Sequence, residues 1–149
     1  QAMYNIRPMY SDDIDQVEKI EQAVFSVPWS AKSFADACSN PDNVYLVCDI
    51  DGIIAGYCGM WTVLGEGNIT NMAVSPDYRR KGIAEALMTG LHAEGLKKNV
   101  STFFLEVRES NAGAISLYQK MGYKEIGKRK RFYERPVEDA LVMSKCDYI

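Results

Sequence analysis

Histidine is nearly absent from this 149-residue chain, His92 being the only one. The four cysteines, Cys38, Cys48, Cys58 and Cys146, contain no C-x-x-C pair. That usage excludes the common Cys/His zinc clusters and leaves no cysteine with an evident histidine to activate it. The thiols read as reduced, mostly packed groups of a cytoplasmic protein, with neither a disulfide frame nor a metal site. No apolar run approaches transmembrane length, which argues against a membrane partner, and the start has no signal-peptide pattern. Gln1-Ala2 ahead of Met3 reads as an expression remnant, with Met3 as the natural start. Repeats, linkers and low-complexity segments are also missing, as are both G-x-x-x-x-G-K-[ST] and G-x-G-x-x-G. A net charge of −3 argues against the whole surface being a nucleic-acid binder.

What is there suits one globular domain over residues 1–149. Hydrophobic residues at 47% and charged residues at 25% are ordinary for a packed core under a polar surface. Tyr4 to Met9 reads as a short strand. Ser11 can cap a helix whose first turn holds Asp12 and Asp13, with Ile14, Val17, Ile20, Val24 and Phe25 on its core face. Pro28-Trp29-Ser30 breaks that helix, and Ser30 can cap a second one carrying Phe34, Ala37 and Cys38. From Asn43 the period changes to that of strands, with Asp51-Gly52 as a two-residue hairpin turn. After Gly65-Glu66-Gly67 a third strand runs from Asn68 to Val74. A helix over about 82–97 buries Ile83, Leu87, Leu91 and Gly95, which leaves His92 off the stripe and exposed. Thr102 to Val107 is a near-continuous apolar strand of a sheet interior. Asn111 can cap a helix ending at Met121, with Gly122 as its C′ glycine. Strands over about 123–132 and 138–146 close the chain. The fold class is α/β, a mixed sheet with helices on its faces.

The stretch from Met72 to Ala84 departs from ordinary helix chemistry. Arg79, Arg80 and Lys81 stand at a helix start, where the helix dipole favours acids. Gly82, placed within the first turn, adds roughly 1 kcal/mol relative to alanine. Free backbone N–H groups flanked by Arg and Lys make sense of both costs if an anion docks there, a phosphate first of all. A solvated basic turn is the plainer alternative.

Arg79-Arg80-Lys81-Gly82-Ile83-Ala84 resembles the [Q/R]-x-x-G-x-[G/A] pyrophosphate loop of the GCN5-related N-acetyltransferase (GNAT) superfamily, whose element order the chain also follows. Pro28-Trp29-Ser30, Leu105-Glu106-Val107-Arg108 with Asn111, and Glu138 to Met143 resemble the bacterial ribosomal-protein alanine N-acetyltransferases within it. The resemblance spans essentially the whole chain. It implies a central, mostly antiparallel sheet of about seven strands flanked by four helices. It also implies transfer of an acetyl group from acetyl-coenzyme A (acetyl-CoA) to a protein N-terminal amine, that of a ribosomal protein first of all. The cofactor's pyrophosphate would lie on Arg79, Arg80, Lys81, Gly82, Ile83, Ala84 and Glu85, and its pantetheine arm on Met72, Ala73 and Val74.

By the same resemblance Glu106 is the general base, Tyr118 the general acid, Asn111 a cofactor contact, and Trp29 and Tyr133 acceptor contacts. Each has a structural alternative. Glu106 is the one charge on its strand before Arg108, and pairing with Arg108 or solvent would account for it; burying it would demand a partner or a proton. Tyr118 shares a helical stripe with Ala114, Ile115 and Met121. Asn111 is a natural N-cap, and Met72 to Val74 are natural core. Phe132-Tyr133 falls where related enzymes carry two tyrosines, so one hydroxyl is missing. Between Lys120 and Arg135 lie seven cations and two acids. A solvated strand face explains them, and attraction to RNA or to the cofactor's phosphates is the alternative. Rival functions are a GNAT enzyme acting on a lysine side chain or a small-molecule amine, and a non-catalytic RNA- or ribosome-binding module using residues 120–135.

Overall fold

A computed structural model describes residues 4–146; the expression-remnant reading of Gln1-Ala2 therefore falls outside the described residues. The elements follow the expected order: β1 (Asn5–Pro8), α1 (Ile14–Val24), α2 (Ala31–Cys38), β2 (Asn43–Ile50), β3 (Ile53–Val63), β4 (Glu66–Val74), α3 (Ile83–Lys97), β5 (Thr102–Arg108), α4 (Ala112–Lys120), β6 (Lys124–Tyr133) and β7 (Glu138–Cys146). The seven strands form one sheet in the order β1-β2-β3-β4-β5-β7-β6. Every neighbouring pair is antiparallel except β4 and β5. No helix among the described residues is long and apolar enough to cross a membrane.

Alternation along β2 sorts the two faces of the sheet. Val44, Leu46 and Cys48 join the core under α3 and α4, whereas Tyr45 and Val47 join the core under α1 and α2. Tight turns set the register as their sequences require. Asp51 and Gly52 both take positive φ, 51° and 90°, the geometry of a two-residue hairpin loop. The next hairpin turns one residue earlier than expected, at Leu64-Gly65, and Glu66 already belongs to β4.

Three local expectations need correction. Ser11 caps nothing: Ser11–Asp13 form a single 3-10 turn, and the Asp13 carboxylate accepts from the Tyr10 N–H at 2.8 Å and from Arg7. Gly82 is the N-cap of α3 rather than part of its first turn, with φ 75°, so glycine suits the position instead of weakening the helix. His92 is buried at 8% exposure. It packs on Phe103 with ring centroids 4.7 Å apart and shares a hydrogen bond with the Tyr123 hydroxyl at 2.7 Å. Gly95 is buried as expected, and the stripe of α3 is broader than expected because Met88 and His92 also meet the sheet.

Candidate active site

The parallel pair is what opens the sheet. β4 and β5 stay in register only from Glu66↔Thr102 to Ile69↔Leu105. Beyond that point β4 continues on β3 as far as Val74, and β5 continues on β7 as far as Arg108. The split begins at a β-bulge, where Gly59 faces Asn71 and Met60 faces Ile69, leaving Thr70 as the extra residue. A bulge bends its strand and shifts the alternation by one. Ile69 joins the core under α3, and after the bulge Met72 and Val74 do so, while Ala73 faces α1 and α2. The edges of Met72–Val74 and Glu106–Arg108 thus bound a cleft of about 1110 Å³ that reaches both faces of the sheet.

Each sequence-derived candidate except Lys81 lines this cleft. At one end Arg79 leads into Arg80 and Gly82, both left-handed (φ 63° and 75°), and then into α3. The Ile83, Ala84 and Glu85 amides lie in the first turn, where no intrahelical acceptor exists. A Cβ placed on Gly82 would meet nothing within 4 Å, so the approach to those amides is open. The Glu85 carboxylate is turned aside to Lys120 at 2.7 Å, which leaves its amide as the group it can offer an anion. Lys81 is exposed beside the turn. Backbone amides, open space and cations together fit a phosphate-bearing ligand.

The proton-handling groups come from opposite faces. Phe103, Leu105 and Val107 are buried in the core under α3 and α4, so Glu106 points to the α1/α2 side. Its partner is not Arg108. Arg129 Nε lies 3.3 Å from Glu106 Oε2, whereas Arg108 binds Glu138 at 3.1 Å and stacks on the Tyr133 ring at 4.5 Å. Alternation puts Glu106 and Arg108 on the same face of β5, but Arg108 is already engaged by Glu138 and Tyr133, which leaves Glu106 to the cation from β6. Tyr118 enters from α4, 7% exposed, and its hydroxyl has no protein partner among the described residues. Burial pushes its pKa up to about 12, which keeps the hydroxyl protonated as a proton donor. Asn111 caps α4 by accepting from the Ala114 N–H at 3.2 Å through Oδ1, leaving its Nδ2 for another partner.

The acceptor-side candidates sit on the α1–α2 loop and at the end of β6, where the following loop meets the first over the cleft. Trp29 packs against Phe34 at 5.2 Å, and Ser30 caps α2 by accepting from the Ser33 N–H. Tyr133 is half-buried, with its pKa raised to about 12, first by burial and then by the Glu106 charge. The Ser26 hydroxyl donates to the Glu134 carbonyl at 3.4 Å, tying the two loops together.

A profile of the Acetyltransferase (GNAT) family matches residues 14–123. The chain belongs to that family. A ribosomal protein bS18-alanine N-acetyltransferase of Escherichia coli K12 is 38% identical over 95% of this chain and 97% of its own length. The corresponding Haemophilus influenzae protein is 35% identical over 89% of this chain and 91% of its own. A crystal structure of the E. coli S18-alanine N-acetyltransferase superposes with a TM-score of 0.91 at 34% identity, covering 99% and 96% of the two chains. The GNAT fold and the acetyltransferase class inferred from the pyrophosphate-loop sequence therefore stand.

Two functional features escaped the sequence reading. Glu21 lines the cleft yet is only 3% exposed. Its signal was available: it falls on the same stripe as Val17, Ile20 and Val24, where a carboxylate does not belong. The Thr70 bulge left no comparable signal. The basic segment is partly neutralised from outside itself, through Lys120–Glu85, Lys128–Glu109 and Arg129–Glu106 pairs. Among the described residues no group of three or more His, Cys, Asp or Glu could hold a metal ion.

Proposed function

We propose that this enzyme transfers the acetyl group of acetyl-CoA to the N-terminal amine of a ribosomal protein beginning with alanine, in the cytoplasm. The observation that supports it is the split of β4 from β5, with a cationic turn and free helix amides at one end and a carboxylate and a phenol on opposite faces. Acetyl-CoA supplies an activated thioester carbonyl when bound. The amides of Gly82 to Glu85, with Arg79, Arg80 and Lys81, would hold its pyrophosphate. The unpaired β4 edge at Met72–Val74 would hold the amide-bearing arm by backbone hydrogen bonds, and Asn111 Nδ2 would add a donor.

Glu106, on the acceptor side, would take a proton from the incoming ammonium. An α-amino group has a pKa of about 7.7–8.0, against about 10.4 for lysine, so an N-terminal acceptor asks less of a carboxylate base. Tyr118, on the other face, would give its proton to the departing sulfur. Trp29 and Tyr133 would flank the acceptor's first residues. Holding both reactants in one cleft supplies much of the rate and requires no acyl-enzyme.

Kinetics with an alanine-starting peptide and with the same peptide blocked at its N-terminus test the reading. Turnover of the free peptide alone is expected. Equal turnover of both would move the acceptor to a side-chain amine.

A further inference from the structure

Glu21 is a buried carboxylate for which the reaction just described has no use. Its Oε2 accepts from the Trp29 backbone N–H at 3.0 Å, and its Oε1 accepts from the Tyr57 hydroxyl. The Asn71 side chain lies beside it and favours its charged form. Asn71, 5% exposed, also receives the Thr70 hydroxyl at 2.7 Å and the Tyr45 hydroxyl at 3.2 Å on Oδ1. A buried polar cluster therefore extends from the acceptor loop, past Glu21 and Asn71, to the bulge residue that starts the split between β4 and β5.

The β4 end of this cluster depends on the bulge. Were Thr70 paired in regular alternation, Asn71 would share the face of Ile69 and point to α3, away from Glu21. The bulge thus serves two purposes, opening the cleft and turning Asn71 toward α1. Burial holds the Glu21 carboxyl above the ordinary carboxylate range, and the hydrogen bonds from Tyr57 and Trp29 oppose that shift. A carboxyl placed only for packing would be better replaced by an apolar side chain. Nearby Glu18 adds a second clamp on the same loop, accepting from the Ala31 N–H at 2.7 Å, but it has no link to β4.

We infer that Glu21 is a positioning residue for the acceptor, fixing the Trp29 loop in register with the bulged segment of β4 through Asn71. This rests on the acceptor reading above. Glutamine keeps the shape of the side chain but leaves one acceptor oxygen where the Trp29 amide and the Tyr57 hydroxyl each hold one.

The test is Glu21→Gln, with the KM of the alanine-starting peptide, the KM of acetyl-CoA and kcat measured separately. Hydrogen exchange at the Trp29 amide is read alongside. Loss of a hydrogen bond to a charged group predicts a peptide KM raised about tenfold, an unchanged acetyl-CoA KM and faster exchange at Trp29. An unchanged peptide KM with a still-protected Trp29 amide overturns the role. Equal losses for both substrates would mean a merely structural residue and overturn it too. Should Glu21→Gln fail to fold, Tyr57→Phe removes one donor from outside the cleft, and an unchanged peptide KM there is equally fatal. If the wild type does not turn over the alanine-starting peptide, the acceptor reading fails instead, and Trp29 exchange in the variant still decides whether Glu21 holds the loop.

Discussion

Placing a glutamate at Gly82 separates the stability of α3 from its ability to bind an anion. Gly82 has φ 75° and open space where a Cβ would go, so any L-residue there meets conformational strain but no clash. That strain is about 1–2 kcal/mol. For a domain of roughly 150 residues each kcal/mol moves the melting temperature by about 2–4 °C, so Gly82→Ala should lose about 2–8 °C. Gly82→Glu carries the same strain, but its carboxylate at the start of α3 recovers about 0.3–1 kcal/mol from the helix dipole. The glutamate variant should therefore melt at or above the alanine variant. Binding should run the other way. At about 5 Å and an effective dielectric of about 20, the carboxylate repels each phosphate charge by about 3 kcal/mol, more than a hundredfold in affinity. Differential scanning calorimetry and isothermal titration with acetyl-CoA on both variants read the two effects separately. An acetyl-CoA affinity for Gly82→Glu within about threefold of Gly82→Ala would refute the placement of the pyrophosphate.

Three further outcomes follow from the site and its support. Glu106→Gln should lower kcat by about 10²–10⁴-fold while acetyl-CoA affinity, read by titration calorimetry, stays unchanged; an unaltered kcat would remove the base assignment. Tyr118, with its pKa raised to about 12, stays protonated through the neutral and mildly alkaline range. Tyr118→Phe should accordingly depress kcat throughout that range, and a wild-type loss of kcat near pH 10 that vanishes in the variant would contradict the burial argument. Away from the cleft, Arg7 hydrogen bonds hold the Asp13 carboxyl below its ordinary pKa of 3.8. With the folded value below the unfolded one, this stabilisation is complete above the unfolded pKa and is lost as pH falls through the folded value. Asp13→Asn should then lose about 1–2 kcal/mol in urea melts at pH 7 and almost nothing once both states are protonated, and an equal loss at both ends would sink the linkage.

The sequence was most informative where a single local rule decides the structure. Asp51-Gly52 demanded a hairpin, Ser30 and Asn111 offered caps, and a glycine at the start of α3 marked a turn, where Gly82 takes positive φ. It was least informative where distant strands set the outcome. The partner of Glu106 sits on β6, across β7, and no spacing within β5 could point to Arg129. His92 looked exposed because a narrow helical stripe was assumed, whereas Gly95 lets α3 approach Phe103 and brings the ring down with it. The Thr70 bulge is a register event between two strands, and its one trace in the sequence is Gly59 on β3, which lies opposite it.

Mass spectrometry of the purified protein's products, with acetyl-CoA and an alanine-starting ribosomal-protein peptide that also contains lysine, tests the central claim most directly. The account predicts a single acetyl group on the N-terminal amine. Acetyl groups on lysine with the N-terminus left free would contradict it.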